Sequence, residues 1–481
     1  MSETKKENIL SNFIWRFLER CGAQGVEFIV TLVLARLLAP EVYGTIALVT
    51  VFIAITQVFV DSGLANALIQ KKDADDVDFS TVFFFNLSFC IVLYLLLFLA
   101  APFIAKFYND LSLVPVIRVL GLVIVISGLK NVQQAYVSRN LIFKKFFFAT
   151  LGGTIGAAVV GITMAYLGYG VWALVIQQIV NTLVDAVILW IMVKWRPKFI
   201  FSFSRLKSLL SYGWKFLASG LLDAIYNNLR QLIIGKMYTA SDLAFYNKGK
   251  QFPYLIITNI NISIDSVLFP VMSKAQDKRE QVKKLTRQSI KISTYVIAPL
   301  MIGMAAVAPT MIEVLLTDKW LSCVPYLRIF CIIYIFYPIH TANLNAIKAM
   351  GRSDLFLKLE VCKKVIGVVL LLLTMNHGVM AMAYSLLISS FASQIINAWP
   401  NRKLLNYSYL EQLKDILPSI VLAIGMGLIV NSVRSVNVPS MVLLLVQIVL
   451  GIITYIVGSV LFRIDSFGYL LNIRREFCDN K

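Results

Sequence analysis

Apolar residues fall along this chain in blocks of about 17 to 25, the length a helix needs to span a bilayer, separated by short polar or charged segments. Six blocks lie at 13–37, 42–69, 79–105, 114–137, 147–166 and 171–193. Six more lie at 212–235, 246–270, 289–315, 323–347, 359–375 and 378–399, and two close the chain at 416–433 and 438–462. The pattern predicts an all-α polytopic membrane protein of about 14 transmembrane helices. No connection is long and polar enough to hold a soluble catalytic domain.

The blocks are written twice. Trp15-Arg16-Phe17-Leu18 reappears as Trp214-Lys215-Phe216-Leu217, and Asp61-Ser62-Gly63-Leu64 as Asp265-Ser266-Val267-Leu268. Ala101-Pro102 corresponds to Ala308-Pro309, VPVIR (114–118) to VPYLR (324–328), and GVWALV (170–175) to GVMAMA (378–383). Six blocks separate the copies, an even number, so both enter the membrane from the same side as parallel repeats. The expected organisation is an N-terminal six-helix lobe (1–193), a basic amphipathic linker (194–211), a C-terminal six-helix lobe (212–400), and two extra helices with a tail (401–481). The lead-in EQLKDILPS (411–419) echoes SRLKSLLSY (204–212).

Composition sharpens the class. The 481 residues are 58% hydrophobic and 15% charged, whereas soluble domains carry roughly a quarter charged residues. The net charge of +19 could suggest nucleic acid, but its placement excludes that partner. Of 45 Lys and Arg, alternate loops carry 28 on one side and 4 on the other. This is the positive-inside asymmetry of a polytopic protein and puts both termini in the cytoplasm. The linker, basic and amphipathic, suits the surface of an anionic leaflet. The N-terminus lacks a signal-peptide cleavage site. The six cysteines show no metal or CxxC spacing and read as packing residues. Trp15, Trp172, Trp195, Trp214, Trp320 and Trp399 sit near span ends, as an interfacial belt does.

Thirteen Lys and Arg remain inside or at the ends of the blocks, where a mid-bilayer charge costs about 2.5–3.5 kcal/mol. The first block carries Arg16, Arg20, Gln24, Glu27 and Thr31 along one stripe at 100° per residue. Its repeat mate carries Lys215, Ser219, Asp223, Tyr226, Asn227 and Arg230, and the next block Lys248, Gln251, Asn259, Ser263 and Ser266. Facing stripes would line a wet, cationic cavity; alternatively Arg20 with Glu27, and Arg230 with Asp223 or Asn227, tie helices together. Asp61 and Asp265 recur in both copies, which favours a helix-end structural role over titration during transport. Arg118 and Arg328, in the repeated VPxxR, read as scaffold.

The opening segment 9–70, with LARLLAPEVYGTIAL (34–48) and DSGLANALIQKKD (61–73) as its most specific pieces, resembles the Wzx-type polysaccharide flippases of bacteria, in the multidrug/oligosaccharidyl-lipid/polysaccharide superfamily. The resemblance covers essentially the whole chain. It implies an inner-membrane carrier of undecaprenyl-diphosphate-linked oligosaccharide, working by alternating access, with membrane lipid and the polymerase and assembly proteins of the same polysaccharide as partners. Arg16, Arg20 and Arg230, supported by Lys215, Lys248, Gln24, Asn227 and Gln251, are then the expected ligands of the diphosphate or of an acidic sugar, because the guanidinium fork matches phosphate oxygens. Glu27, Asp223, Asp61 and Asp265 are the coupling or structural carboxylates. No cofactor is implied, and a coupling ion, H+ or Na+, is left open.

Enzymatic readings lose ground. No GxxxxGK[ST] phosphate loop is present, and His340 and His377 are too few and too far apart for a metal site or a triad. A membrane polysaccharide polymerase or glycosyltransferase would be expected to carry a large outward loop, which is missing. A multidrug exporter of the same superfamily would want an acidic chamber, whereas these stripes hold more Arg and Lys than Asp and Glu.

Overall fold

A computed structural model describes Trp15 and residues 22–61 and 63–470, the side chain of Tyr212 excepted. Among the described residues all regular structure is helical. The first helix, α1, covers 22–37. It is followed by α2 (Pro40–Asp61), α3 (Leu64–Gln70), α4 (Asp76–Tyr108), α5 (Leu113–Leu120), α6 (Leu122–Arg139), α7 (Phe143–Tyr166), α8 (Val171–Met192) and α9 (Phe203–Met237). Then come α10 (Ala240–Lys274), α11 (Arg279–Leu316), α12 (Val324–Ile335), α13 (Tyr337–Ala349), α14 (Ser353–Thr374), α15 (Val379–Leu404), α16 (Tyr409–Ser432) and α17 (Ser440–Leu461).

Eleven helical segments are long and apolar enough to cross a membrane. The expected spans at 212–235 and 359–375 are helical too, as parts of α9 and α14, but both are more polar: α9 carries Lys215, Asp223 and Arg230, and α14 carries Lys358, Glu360, Lys363 and Lys364. The span at 13–37 lies partly outside the described residues.

The chain divides into two compact units, Met1–Ala244 and Phe245–Lys481. In the first, α7 and α8 form a hairpin so close that a Cβ on Gly153 would stand 2.8 Å from the Asn181 carbonyl oxygen, and one on Gly161 2.9 Å from Gln177 Cγ. Small residues let membrane helices approach in this way. A core of Leu64, Leu68, Phe79, Phe83, Val132, Trp195 and Leu206 closes one end of the unit. The second unit builds its own core from Leu268, Met272, Ala342, Leu405 and Ile416. At the sequence offsets of the repeat, 204 and 210, Leu64, Leu68 and Val132 map onto Leu268, Met272 and Ala342, and at the lead-in's offset of 207 Leu206 maps onto Leu413, which packs against the same core. Duplicated sequence therefore makes duplicated packing.

The helix after each core starts on a serine cap. Ser202 accepts from the backbone N–H of Arg205 at the start of α9, and Ser408 forms a capping box with Glu411 at the start of α16. The cap at Ser202 moves a boundary. The second half of the expected linker is the opening of α9, continuous with the span behind it, and only 193–202 is irregular.

Charged residues pin that irregular segment. Lys198 pairs with Asp76 at 2.6 Å, and Arg205 contacts both Asp75 and Asp78 at 3.1 Å. Lys71 closes on Asp78 at 2.7 Å, and Trp195 Nε1 donates to Asp76 Oδ1 at 3.2 Å. Asp75 caps α4, and the Asp78 backbone N–H it receives, with Arg205 beside it, holds its carboxyl below the usual range. Arg139 donates to the Leu68 and Lys72 carbonyls, satisfying the open end of α3. Trp195 and Trp320 do not belong to an interfacial belt: both are buried, because each fills a core or lies under a lysine.

Candidate functional site

The glycines of α9 decide which of its faces is free. A Cβ on Gly63, whose φ is +70°, would stand 2.6 Å from the Gly213 carbonyl oxygen; one on Gly220 would touch Val58 at 3.1 Å, and one on Gly235 would meet Leu48 at 2.1 Å. This glycine face lies against α2 and α3. About a third of a turn away, at 100° per residue, lie Lys215, Ser219, Asp223, Asn227 and Arg230. Lys215, Ser219, Asp223 and Asn227 are exposed, and Tyr226 and Arg230 are half-buried. Within the first unit, then, a membrane-length helix carries a polar face holding two cations and one carboxylate. Gln24 and Glu27 of α1 are likewise exposed. Arg16 and Arg20 lie outside the described residues.

In the second unit α10 exposes Gln251, Asn259, Ser263 and Ser266. Asn259 and Ser263 each satisfy a carbonyl one turn back in their own helix, at 2.9 Å. Lys248 departs from this face. It is 5% exposed, with Nζ 3.0 Å from Gln251 Oε1 and 5.5 Å above the ring of the fully buried Trp320. Its stem and charge are spent inside the unit, where a cation over indole gains from the ring quadrupole.

The two repeated aspartates have local partners. Asp265 accepts from Asn345 Nδ2 at 2.7 Å and lies 3.9 Å from Lys348 Nζ. Asp61 ends α2, exposed, with a hydrogen bond from Gln57 and Lys130 in electrostatic reach. The sequence reading missed a third feature in the first unit, the ion pair of Lys130 with Asp185 at 2.7 Å, both side chains over four-fifths buried. Two opposite charges at similar depth, nine residues before Arg139 and seven before Met192, were the available signal.

Each unit also carries an apolar groove. In the second, Tyr295, Pro299, Met304, Met426, Gly451 and Ile452 of α11, α16 and α17 help line about 600 Å³. In the first, Phe52, Phe103, Phe107, Leu229 and Ile233 line about 580 Å³, with Lys236 at the margin. Among the described residues no cluster of His, Cys, Asp and Glu could hold a metal ion.

Helices alone, two copies of one packing unit, and polar faces on membrane-length helices define a repeat-built membrane transporter fold. The sequence matches the polysaccharide biosynthesis protein family over residues 33–325, and the chain belongs to that family. It is 25% identical to the teichuronic acid biosynthesis protein TuaB of Bacillus subtilis over 382 residues, 78% of each chain. It is 23% identical to the lipopolysaccharide biosynthesis protein WzxC of Escherichia coli, over 89% of each chain. Among solved structures the inward closed conformation of the lipid II flippase MurJ superposes with a TM-score of 0.77 at 14% identity, covering 94% of this chain and 99% of that one.

Proposed function

We propose that this protein carries a polyprenyl-diphosphate-linked oligosaccharide across the bacterial inner membrane for surface polysaccharide synthesis, with both termini in the cytoplasm and no catalytic step of its own. The observation that carries the reading is the polar face of α9, with Lys215 exposed and Arg230 half-buried on a helix whose glycine face packs against α2 and α3. A diphosphate needs such a face, because its charge must cross where each unpaired ion is costly. Guanidinium and ammonium donors supply charge-assisted hydrogen bonds there.

The apolar grooves suit the other half of such a molecule, an isoprenoid chain that stays in hydrocarbon. Family membership, the relatives' roles in teichuronic acid and lipopolysaccharide synthesis, and a fold shared with a lipid II flippase all support the same class. Residues 1–193 and 212–400 act as two six-helix lobes that alternate access, with 401–481 as an added pair of helices and a tail. The cations of α9 favour an anionic cargo over the cationic drugs of multidrug exporters.

Deletion of the gene should leave radiolabelled lipid-linked repeat units on the cytoplasmic leaflet, and plasmid-borne protein should restore their passage. Equal distribution across both leaflets in the deletion strain, or a phenotype confined to sensitivity to cationic drugs, would reject the reading.

A further inference from the structure

The second copy of the repeat isolates what is special about the first. In both units polar contacts bridge the fourth span to the sixth. In the second unit they are neutral: Asn397 Nδ2 and His340 Nδ1 meet at 2.9 Å, and Asn401 Nδ2 donates to Asn343 Oδ1 at 2.6 Å, between α13 and α15. In the first, Trp190 Nε1 donates to the Leu129 carbonyl at 3.0 Å, and the Lys130–Asp185 ion pair joins α6 to α8 at 2.7 Å. At the offset of 210 Lys130 corresponds to His340, and at 208 Asp185 corresponds to Ser393. The carboxylate of the second span recurs in both copies as Asp61 and Asp265, so among the described residues the first unit differs in joining its fourth and sixth spans by an ion pair. A repeated feature serves the repeated fold; a feature of one copy needs another reason.

The chemistry of the group supplies one. Asp61, Lys130 and Asp185 together carry a net charge of −1 when both carboxylates are ionised, and one ammonium serves two acids. Asp185 is 7% exposed, and its Oδ1 has no hydrogen-bond partner, Lys130 being held by Oδ2. Asp61, in contrast, is exposed. Asn131, next to Lys130, donates to the Val60 carbonyl at 2.9 Å and so fixes α6 against the end of α2 that bears Asp61.

Other ionisable groups are few. From α4 comes the buried Cys90 thiol, within electrostatic range of Asp61. The α9 stretch between Gly213 and Gly220, which lies against Gly63 and Val58, contributes Lys215. Arg118, the single charge on α5, is engaged with Phe98. The charges of α7, Lys144 and Lys145, are eight or more residues from Gly153, the residue that touches Asp185.

We propose that Asp61, Lys130 and Asp185 form a proton-binding site that takes up and releases one proton while Lys130 divides its charge between the two carboxylates. A hydronium ion gives its proton to a carboxylate oxygen of Asp61; one O–H bond forms, one breaks, water leaves, and no electron changes hands. The trio becomes neutral and Lys130 belongs to Asp185 alone. Loss of the proton draws Lys130 toward Asp61 and loosens its hold on α8. The site thereby couples an exposed acid at the end of α2 to the packing of α6 on α8.

The test needs no lipid-linked substrate, so it stands apart from the proposed cargo. Full-length protein in liposomes is titrated with acid while the infrared absorption of protonated carboxyl groups is followed. Wild type should show one protonated-carboxyl component that Asp61→Asn lacks, the difference amounting to one proton per chain. Lys130→Gln should raise the midpoint of that component by about one pH unit or more, a tenfold gain in proton affinity, because the counter-ion is gone. If Lys130→Gln fails to fold, Asp61→Asn, which leaves the ion pair intact, decides alone. Superimposable titrations of wild type and Asp61→Asn would overturn the proposal. So would a wild-type midpoint that follows sodium concentration, since the site would then take a metal cation.

Discussion

Arg328 reaches back along the chain to donate its Nε–H to the carbonyl oxygen of Ala305 at 3.1 Å. Ala305 stands four residues before Pro309, and proline has no N–H to give that carbonyl. The first copy repeats the arrangement: Arg118 Nε donates to Phe98 at 3.4 Å, four residues before Pro102, and the guanidinium also covers the Phe98 ring at 4.1 Å. The repeated AP and VPxxR motifs are thus two halves of one device, a helix-breaking residue and the donor that repairs it.

Replacing Arg328 with Met should therefore cost about 1–2 kcal/mol, the net worth of a charge-assisted hydrogen bond to a half-exposed acceptor. In a Pro309→Ala background, where a backbone N–H fills the gap, the same replacement should cost almost nothing. Thermal unfolding of the four proteins in detergent measures the coupling. Equal costs in both backgrounds would show that Arg328 does not serve the freed carbonyl.

Acid should loosen the start of α4. Folding lowers the Asp75 pKa, through the Asp78 backbone N–H and then Arg205. The stabilisation is therefore complete above the unfolded carboxylate value of about 3.9 and is lost as pH falls through the lower folded value. Amide exchange at Asp78 and Phe79 should quicken over that interval. Asp75→Asn keeps an acceptor for the cap but nothing to titrate, so its exchange should stay level across the interval.

Two glycines should respond in opposite directions to the same added methyl. At Gly44 a Cβ would lie 1.9 Å from the backbone oxygen of Ala240, which the start of α2 meets closely; Glu41 also accepts from Ser241 Oγ there at 2.7 Å. Gly44→Ala should destabilise by about 1–3 kcal/mol or more, as overpacking does. Gly425 in α16 has no atom within 4 Å of such a Cβ, and Gly425→Ala should stabilise by about 0.5–1 kcal/mol. Unfolding midpoints of the purified variants give the answer, and a neutral Gly44→Ala would mean that this contact is not tight in the membrane.

Charge at Arg230 should govern export. Arg230→Ala should reduce polysaccharide display about ten- to hundredfold, the loss of one contact to a charged group. Lys should restore part of it without the fork, and Glu none; Arg20 should behave alike. Display is read alongside the level of protein in the membrane. Normal export by Glu variants present at normal level would make these residues scaffold.

What was legible in the sequence is what repeats or spans. The helices, the duplicated cores and the scaffold role of Arg118 and Arg328 follow from periodicity and from motif pairs that recur at one offset. Asp265 recurs at the same offset, and its local partners are Asn345 and Lys348. The Lys130–Asp185 pair was not, because its members are 55 residues apart on helices whose mutual rotation no single-helix pattern reveals. Lys248 shared a stripe with exposed residues, yet Trp320 from a distant segment offered it a better place inside. The unbroken start of α9 escaped because Ser202 was read as part of a loop when it caps a helix. Propensity sees neighbours in sequence, and these outcomes were decided by neighbours in space.

The continuity of α9 has a mechanical meaning. At 1.5 Å per residue its 35 residues reach about 52 Å, against roughly 30 Å of hydrocarbon, so the helix is a rod longer than a bilayer core is thick. One end is tied by Arg205 to Asp75 and Asp78, and near the other Lys236 lies 4.7 Å over the Phe107 ring and donates to the Phe107 carbonyl. Both anchors are on α4, one at each of its ends. A stiff rod fastened at both ends to a parallel strut cannot slide without releasing an anchor, and a lever of this kind turns a small electrostatic event at one end into a displacement at the other.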